Sequence, residues 1–214
     1  NASLISPAMN LNSYYSESMI IKLGTFGTVN ATKQTLTVST GWSMLGNGMD
    51  SSIDVSSKFS DAANYISISK WQSSTSRWAF YAPNIPGAIS LADYAAAHGF
   101  DVLTTINSGE GFWVNAKKAT TLNLESINSV DNAYLVNPNK WTLLTVGQQI
   151  TPAGLAATLS AKGNNVDSLW VWNANNASWE FYSPTLDALG TLDTYAASKG
   201  FLNLGSRYIQ PGEG

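Results

Sequence analysis

The chain repeats itself, and this repeat limits the possible folds more than any other feature of the sequence. "KWQSSTSRWAFYAP" in the first half corresponds to "VWNANNASWEFYSP" in the second. Four such blocks recur in the same order, beginning at Gly41 and Lys140, Lys70 and Val171, Ser90 and Thr191, and Ser108 and Pro211. Blocks that keep their order and their aromatic residues predict two tandem copies of one structural module.

The repeat divides the 214 residues into four predicted parts. Residues 1–40 are an N-terminal β-rich extension, and residues 117–139 are a linker. Residues 41–116 are the first module, called copy one here, and residues 140–214 are the second, called copy two. Copy one continues from "GEG" into "FWVN", whereas copy two stops at "GEG", so we expect copy two to lack its final strand.

Each copy reads as strand, helix, hairpin, helix and strand, which predicts an α+β fold with a mostly antiparallel sheet. In copy one, the apolar residues from Val55 to Ile66 have helical spacing. In copy two, Thr151 and Gly163 are suited to begin and end the corresponding helix. Two aromatic runs around "SSTS" and "NANNAS" predict the hairpins.

The second helix of each copy has clear boundary signals. Ser90 with Asp93 resembles a capping box. Gly99 and Gly200 are placed where a helix ends in a left-handed residue, and a phenylalanine follows each glycine.

Composition indicates a surface that carries few charges. Only 12% of the residues are charged, and the net charge is -3. Such a surface is more typical of a secreted or cell-surface protein than of a cytosolic enzyme. The 11 basic residues are scattered, which gives no footprint for nucleic acid. No apolar run is long enough to predict a membrane span.

Three motifs together carry a resemblance. They are "GWSMLG", the hairpin pattern W-x(6)-W-x-FY-x-P, and "GEGFWVN". They resemble a module found, often in tandem, in large secreted or surface proteins of bacteria. The resemblance implies an extracellular location and a modular architecture, and it implies no chemistry.

Candidate catalytic residues are few. His98 is the only histidine, and Lys199 replaces it in copy two, so we interpret both as cations at a helix end. Glu110 and Glu213 each stand between glycines, where a carboxylate can accept backbone N–H bonds in a tight turn. No acid, base and nucleophile set is visible, and no oxygen-rich calcium loop. We therefore predict no enzyme, no cofactor and no metal site.

The eight tryptophans leave two interpretations open. Small modules need large apolar side chains, so we expect most of the tryptophans to pack in cores. Alternatively, Trp78, Tyr81, Trp179 and Tyr182 form a platform that binds glycans. A coplanar exposed row of rings would favour sugar binding, whereas long open strand edges would favour assembly.

The function that we predict is structural. A copy two without its last strand would keep an open sheet edge, which is a template for a strand from another chain. The N-terminal region of a neighbouring subunit is the predicted donor, in a head-to-tail fibre. The alternative is that the chain is truncated, or is two modules of a longer secreted protein. The predicted assembly residues are Ile20, Ile21, Leu23, Phe26, Leu36 and Val38. The partners are then copies of this chain or other extracellular proteins.

Overall fold

The structure is a computed structural model that describes residues 32–87, 89–130, 136 and 139–214. Both strands and helices are present, and the sheets are mixed, which confirms the α+β class. Within those ranges no helix combines the length and the apolar character needed to cross a membrane.

The elements up to the end of copy one, in chain order, are β1 (Thr32–Val38), β2 (Gly41–Gly46), β3 (Ile53–Asp54), α1 (Val55–Lys58), β4 (Tyr65–Gln72), β5 (Arg77–Tyr81), α2 (Leu91–Ala97), β6 (Asp101–Val102), β7 (Thr105–Ile106) and β8 (Gly111–Ala116). The elements that follow are β9 (Thr120–Ser126), α3 (Pro152–Ala161), β10 (Leu169–Asn173), β11 (Ser178–Tyr182), α4 (Pro184–Ala188), α5 (Leu192–Lys199) and β12 (Leu202–Asn203), with a 3-10 turn at Leu204–Ser206.

Copy one is built on a five-stranded sheet in the order β2-β8-β4-β5-β6. The predicted last strand, β8, is central, and Trp113 in it pairs with Met44 on one side and Ser69 on the other. Phe112 and Val114 are fully buried beneath the sheet, while Trp113 lies on the opposite face.

Copy two contains a three-stranded sheet in the order β10-β11-β12. Its hairpin and its parallel third strand correspond to β4, β5 and β6 of copy one. Residues 140–145, which correspond to β2, make only an isolated bridge at Leu144. The sequence predicted a strand there, and the structure gives a loop instead.

A two-stranded antiparallel ribbon of β1 and β9 lies outside the repeat. Strand β9 falls in the segment predicted as a linker, although "TTLNLES" alternates Leu122 and Leu124 with polar residues as a half-buried strand does. Leu36 pairs with Leu122, and both side chains are buried. The ribbon thus joins the residues just before copy one to those just after it.

The first helix of copy one is much shorter than predicted. Helix α1 has four residues, capped by Asp54, and Ile66 lies exposed in strand β4 rather than on a helix. The helical spacing therefore arose from a buried Val55 and Phe59 in one turn, followed by a strand that happened to continue the pattern.

The other helix signals are confirmed. The Thr151 and Ser90 side chains accept the backbone N–H groups of Gly154 and Asp93. Gly99 and Gly200 have φ of 73° and 74°, a left-handed region that costs glycine little. The amides of the following phenylalanines donate back to Ala95 and Ala196, as expected for this type of helix end.

Two hydrophobic clusters are buried, one in each copy. The first joins the ribbon to β2, β4 and β8 around Phe59 and Phe112. The second places Leu155 and Leu159 of α3 with Val171 and Tyr182 of the hairpin. Despite the two clusters, residues 32–214 belong to one compact unit.

Candidate functional site

The two copies contact one another through equivalent residues used reciprocally. Leu45 of copy one bridges to Glu213, and Leu144 of copy two bridges to Glu110. The Gly46 amide donates to the Gly212 carbonyl at 2.8 Å, and the Thr145 amide donates to the Gly109 carbonyl at 3.0 Å. Each "GEG" turn therefore binds the first segment of the other copy.

Gly46 and Thr145 meet each other at the centre of this contact. They are equivalent positions in the repeat, and a Cβ on Gly46 would overlap the Thr145 side chain. Thr145 is buried, and its hydroxyl donates to the Glu213 carbonyl at 2.6 Å. A single side chain fills the space, which explains why one copy has glycine where the other has threonine.

The same reciprocity holds for the tryptophans on the facing surfaces. The Trp71 Nε1 donates to the Trp141 carbonyl, and the Trp172 Nε1 donates to the Trp42 carbonyl, both at 3.0 Å. Each donor ring also contacts the tryptophan across its hairpin, at 5.4 Å from Trp71 to Trp78 and 5.2 Å from Trp172 to Trp179.

One of these two tryptophan sets has a fourth ring at its centre. Trp113 of β8 contacts Trp42, Trp172 and Trp179, with ring centroids 6.0, 5.7 and 5.8 Å away. This group of four is called the filled cluster below. Trp71, Trp78 and Trp141 form the open cluster, in which no central ring lies among the described residues.

None of the eight tryptophans is fully buried, so the prediction that most of them pack in cores is wrong. Trp141 is 65% exposed, Trp42 47% and Trp78 36%, and the other five are partly buried. Phenylalanines, aliphatic residues and two tyrosines fill the cores instead. Trp170 packs against the core of copy two, whereas Trp42, Trp71, Trp113, Trp141, Trp172 and Trp179 make contacts between the copies, where no single-module argument would place them.

The rings are not arranged as a flat platform. Tryptophan pairs meet at interplanar angles from 59° to 89°. Stacking of a sugar along several rings needs faces that are nearly coplanar, and these pairs are edge-to-face or strongly tilted.

The four residues predicted for glycan binding lie on two different faces. Trp78 and Trp179 are on the tryptophan-bearing face of their hairpins. Tyr81 packs against the core of copy one, and Tyr182 is buried in that of copy two. The structure therefore does not bring the two tyrosines to a surface with the tryptophans.

The outer edge of β10 has no strand partner among the described residues. The equivalent edge of β4 is paired with β8 in copy one. Residues 143–145 likewise bond to the 109–111 turn, whereas β2 pairs with β8 in addition to its bonds with the 212–213 turn. Within the described part of the chain, copy two thus presents two unpaired edges where copy one holds β8.

Glu110 and Glu213 are part of the turns that carry them. Glu110 Oε2 accepts the Asn107 amide at 2.6 Å, and Glu213 Oε2 accepts the Gln210 amide at 2.7 Å. This confirms the predicted backbone bonds. Sequence reasoning missed the cations, because they come from different places: Lys70 of β4 binds Glu110, whereas Arg207 binds Glu213.

Arg207 connects two carboxylates in copy two. Its Nε lies 2.6 Å from Glu180, whose side chain is almost completely buried, and its Nη1 lies 2.8 Å from Glu213. Burial acts to lower the pKa of Arg207, but the hydrogen bonds with Glu213 and Glu180 outweigh it and raise that pKa above its ordinary value.

His98 is the C-cap residue of α2, at the predicted helix end. Its ring stacks on Tyr94 at 4.2 Å, and its Nδ1 lies 2.8 Å from the Tyr94 carbonyl. Lys199 is the last residue of α5 and lies over the equivalent Tyr195 ring. Both side chains are thus engaged locally at their helix ends.

Tyr182 is a titratable group whose pKa the fold shifts strongly. Its hydroxyl donates to Asp187 at 2.9 Å. Burial, followed by the hydrogen bond and the charge of Asp187, raises the pKa of Tyr182 to about 12 from 10.0. A phenol whose pKa is higher in the folded state stabilises the fold fully below the unfolded pKa, and this stabilisation is lost as the pH rises through the folded value.

We therefore expect the free energy of unfolding to fall more steeply between pH 10 and pH 12 for the wild type than for Tyr182→Phe. Urea unfolding of both proteins across this range measures the difference. Tyr65 and Tyr81, whose pKa values burial also raises, titrate in both proteins and cancel in the comparison. Parallel curves would contradict the prediction.

The predicted assembly residues fall into two groups. Ile20, Ile21, Leu23 and Phe26 lie outside the described residues. Leu36 and Val38 are buried in β1, paired with β9 of the same chain. In this fold Leu36 and Val38 already pack within their own chain, so they are not free to pair with a neighbouring subunit.

Across the described ranges, no group of three or more histidine, aspartate or glutamate side chains could hold a metal ion. Comparisons with family models, with curated proteins and with solved structures find no match to this chain.

Proposed function

We propose that this chain is a non-catalytic structural protein of an extracellular bacterial assembly, and that it joins other polypeptides by β-strand addition. The observation that carries the proposal is the unpaired outer edge of β10, at the place where the equivalent strand of copy one is paired with β8. An edge strand of this kind presents a row of free backbone donors and acceptors.

We infer that the chain consists of two homologous modules that pack about a local two-fold axis. The reciprocal bonds at Leu45 and Leu144, and those of Trp71 and Trp172, support it. Gly46 and Thr145 would lie on that axis. Strand β8 fills the edge of β4 in copy one, and on this basis we take it as the guide to what the edge of β10 accepts.

A non-catalytic function is supported by the state of the candidate acids. Glu110 and Glu213 are held by turn amides and cations, and His98 is stacked on its own helix. An extracellular location is supported by the low charge content and by the bacterial surface modules that the motifs resemble.

Glycan binding is the second candidate, favoured by the exposure of Trp141 and Trp78. The tilted ring pairs oppose it, and so does the separation of Tyr81 from Trp78. Strand addition explains both the exposed rings and the open edge, whereas glycan binding leaves the edge unexplained.

Amide hydrogen exchange on the whole chain tests strand addition. Alternate amides of β10 point away from β11 and are expected to exchange fast. A peptide of residues 109–116, or one of residues 18–29 as the predicted self-donor, should slow them. The amides of β4, which β8 already covers, are the internal control and should not change.

Protection by the 18–29 peptide would support a head-to-tail fibre of this chain. Protection by the 109–116 peptide would support a partner that carries the same repeat. Slow exchange of residues 169–173 in the isolated chain, or no protection by either peptide, would overturn the proposal.

A further inference from the structure

The open cluster is a close copy of the filled one, apart from its centre. In both clusters a hairpin pair of tryptophans donates one Nε1 to a tryptophan carbonyl of the other copy at 3.0 Å. The interplanar angles of the hairpin pairs are also similar, 64° for Trp71 with Trp78 and 70° for Trp172 with Trp179. The hairpin pair and its bond to the other copy are therefore present without a central ring.

The central ring of the filled cluster is delivered by a strand. Trp113 lies in β8 between β2 and β4, and its neighbours Phe112 and Val114 point to the opposite, buried face. In copy two the corresponding place is flanked by residues 141–145 and by β10, whose edges are unpaired among the described residues. A strand added between residues 141–145 and β10 would therefore bring a side chain to the open cluster, as β8 brings Trp113 to the filled cluster.

Exposure changes in the direction that a missing ring predicts. Trp78 is 36% exposed, whereas its equivalent Trp179 is partly buried against Trp113 and Trp170. Trp141 is 65% exposed and Trp42 47%. An apolar group this exposed, next to an open strand edge, is typical of a surface that another polypeptide covers.

We propose that Trp71, Trp78 and Trp141 form a receptor for one tryptophan side chain, carried on a β-strand that adds to the outer edge of β10. The strand has the alternation of β8, with a phenylalanine and a β-branched residue facing the core of copy two. This inference rests on the proposed strand addition and specifies its ligand. The specificity comes from edge-to-face packing of one indole among three, which a straight aliphatic side chain does not reproduce.

Binding of a dye-labelled peptide of residues 109–116 to the whole chain, followed by fluorescence anisotropy, tests the receptor. Its matched control is the same peptide with Trp113→Ala. We expect the alanine peptide to bind about tenfold more weakly or worse, because it loses the aromatic contacts as well as the buried ring. The peptide substitution leaves the folding of the protein unaffected.

Variants of the protein locate the site. Trp141→Ala is expected to weaken binding of the tryptophan peptide by about tenfold and to leave binding of the alanine peptide unchanged. Trp42→Ala removes the equivalent ring from the filled cluster and should leave both affinities as they are. Trp141 is mostly exposed, so its removal leaves the fold intact.

The outcomes separate the two proposals. Equal binding of both peptides, with protection of β10, would overturn the indole receptor and leave strand addition standing. Equal weakening by Trp42→Ala and Trp141→Ala would place binding elsewhere and overturn the receptor. Absence of binding and of β10 protection would overturn both. Displacement of the peptide by oligosaccharides would show that the open cluster is a glycan site instead.

Discussion

Gly46→Ala is expected to lower the free energy of unfolding by about 3 kcal/mol, at the upper end of the usual cost of overpacking. The new Cβ would overlap the Thr145 side chain, which is buried and anchored by hydrogen bonds to Glu213 and Gly212. Neither Gly46 nor Thr145 can move away freely, because the Gly46 amide is itself bonded to the Gly212 carbonyl. Urea unfolding measures the loss.

The proposed local two-fold axis leads to a further expectation for the same pair of residues. Thr145→Gly alone should destabilise by about 1–2 kcal/mol through lost hydrogen bonds. The exchanged variant, Gly46→Thr with Thr145→Gly, should be closer to the wild type than the sum of the single variants, because the threonine side chain would then occupy the same space from the other copy. A double-mutant cycle with a coupling near zero would contradict the two-fold arrangement.

Arg207→Met is expected to lower the free energy of unfolding by about 3–5 kcal/mol, the range for removal of one partner from a buried ion pair. It would leave Glu180, with only 7% of its side chain exposed, bonded to Asn173 alone. It would also remove the cation beside Glu213 and so loosen the turn that binds copy one. Chemical denaturation followed by tryptophan fluorescence measures the effect, since the copy-two hairpin carries three tryptophans.

Arg77→Met is the matched control. Arg77 pairs with Asp101 at 3.0 Å, but the two side chains are 50% and 40% exposed. Exposed pairs contribute at most about 1 kcal/mol, so this variant should be near wild type. Adding Glu180→Gln to Arg207→Met should recover part of the loss, because the orphaned charge is then removed. Equal losses of unfolding free energy for Arg207→Met and Arg77→Met would show that burial of the ion pair does not determine its contribution to stability.

The sequence predicts local structure here much better than contacts between distant segments. The hairpins, the caps at Ser90 and Thr151, and the left-handed Gly99 and Gly200 all depend on a few neighbouring residues, and the structure confirms them. The N-terminal extension was predicted to be β-rich, but the pairing of β1 with β9 was not predicted, because Leu36 and Leu122 are 86 residues apart and neither strand repeats. Helix α1 was predicted too long because a strand continued its apolar spacing by coincidence.

The tryptophans show a second limit to what the sequence alone predicts. Their recurrence was visible, and the correspondence of Trp42 with Trp141 and of Trp71 with Trp172 was available from the repeat. What the sequence lacked was the relation between the copies, because each tryptophan bonds to the copy to which it does not belong. The glycine-to-threonine change at the GW block was the one visible trace of that relation, since equivalent residues that differ in this way can meet on an axis.

The ribbon also determines how the chain would respond to pulling. Thr32 pairs with Ser126, so tension that enters before β1 and leaves after β9 acts on the same end of both strands. The cross-strand bonds then yield one after another, as a zipper opens, rather than all together in shear. The two strands have seven residues each and would release roughly 45 Å of chain at about 3.3 Å per residue. Opening the ribbon would also uncover part of the core of copy one, because Leu36, Val38, Leu122 and Leu124 belong to the same hydrophobic cluster as Phe59 and Phe112. The ribbon is therefore held to copy one by its buried side as well as by its own cross-strand bonds.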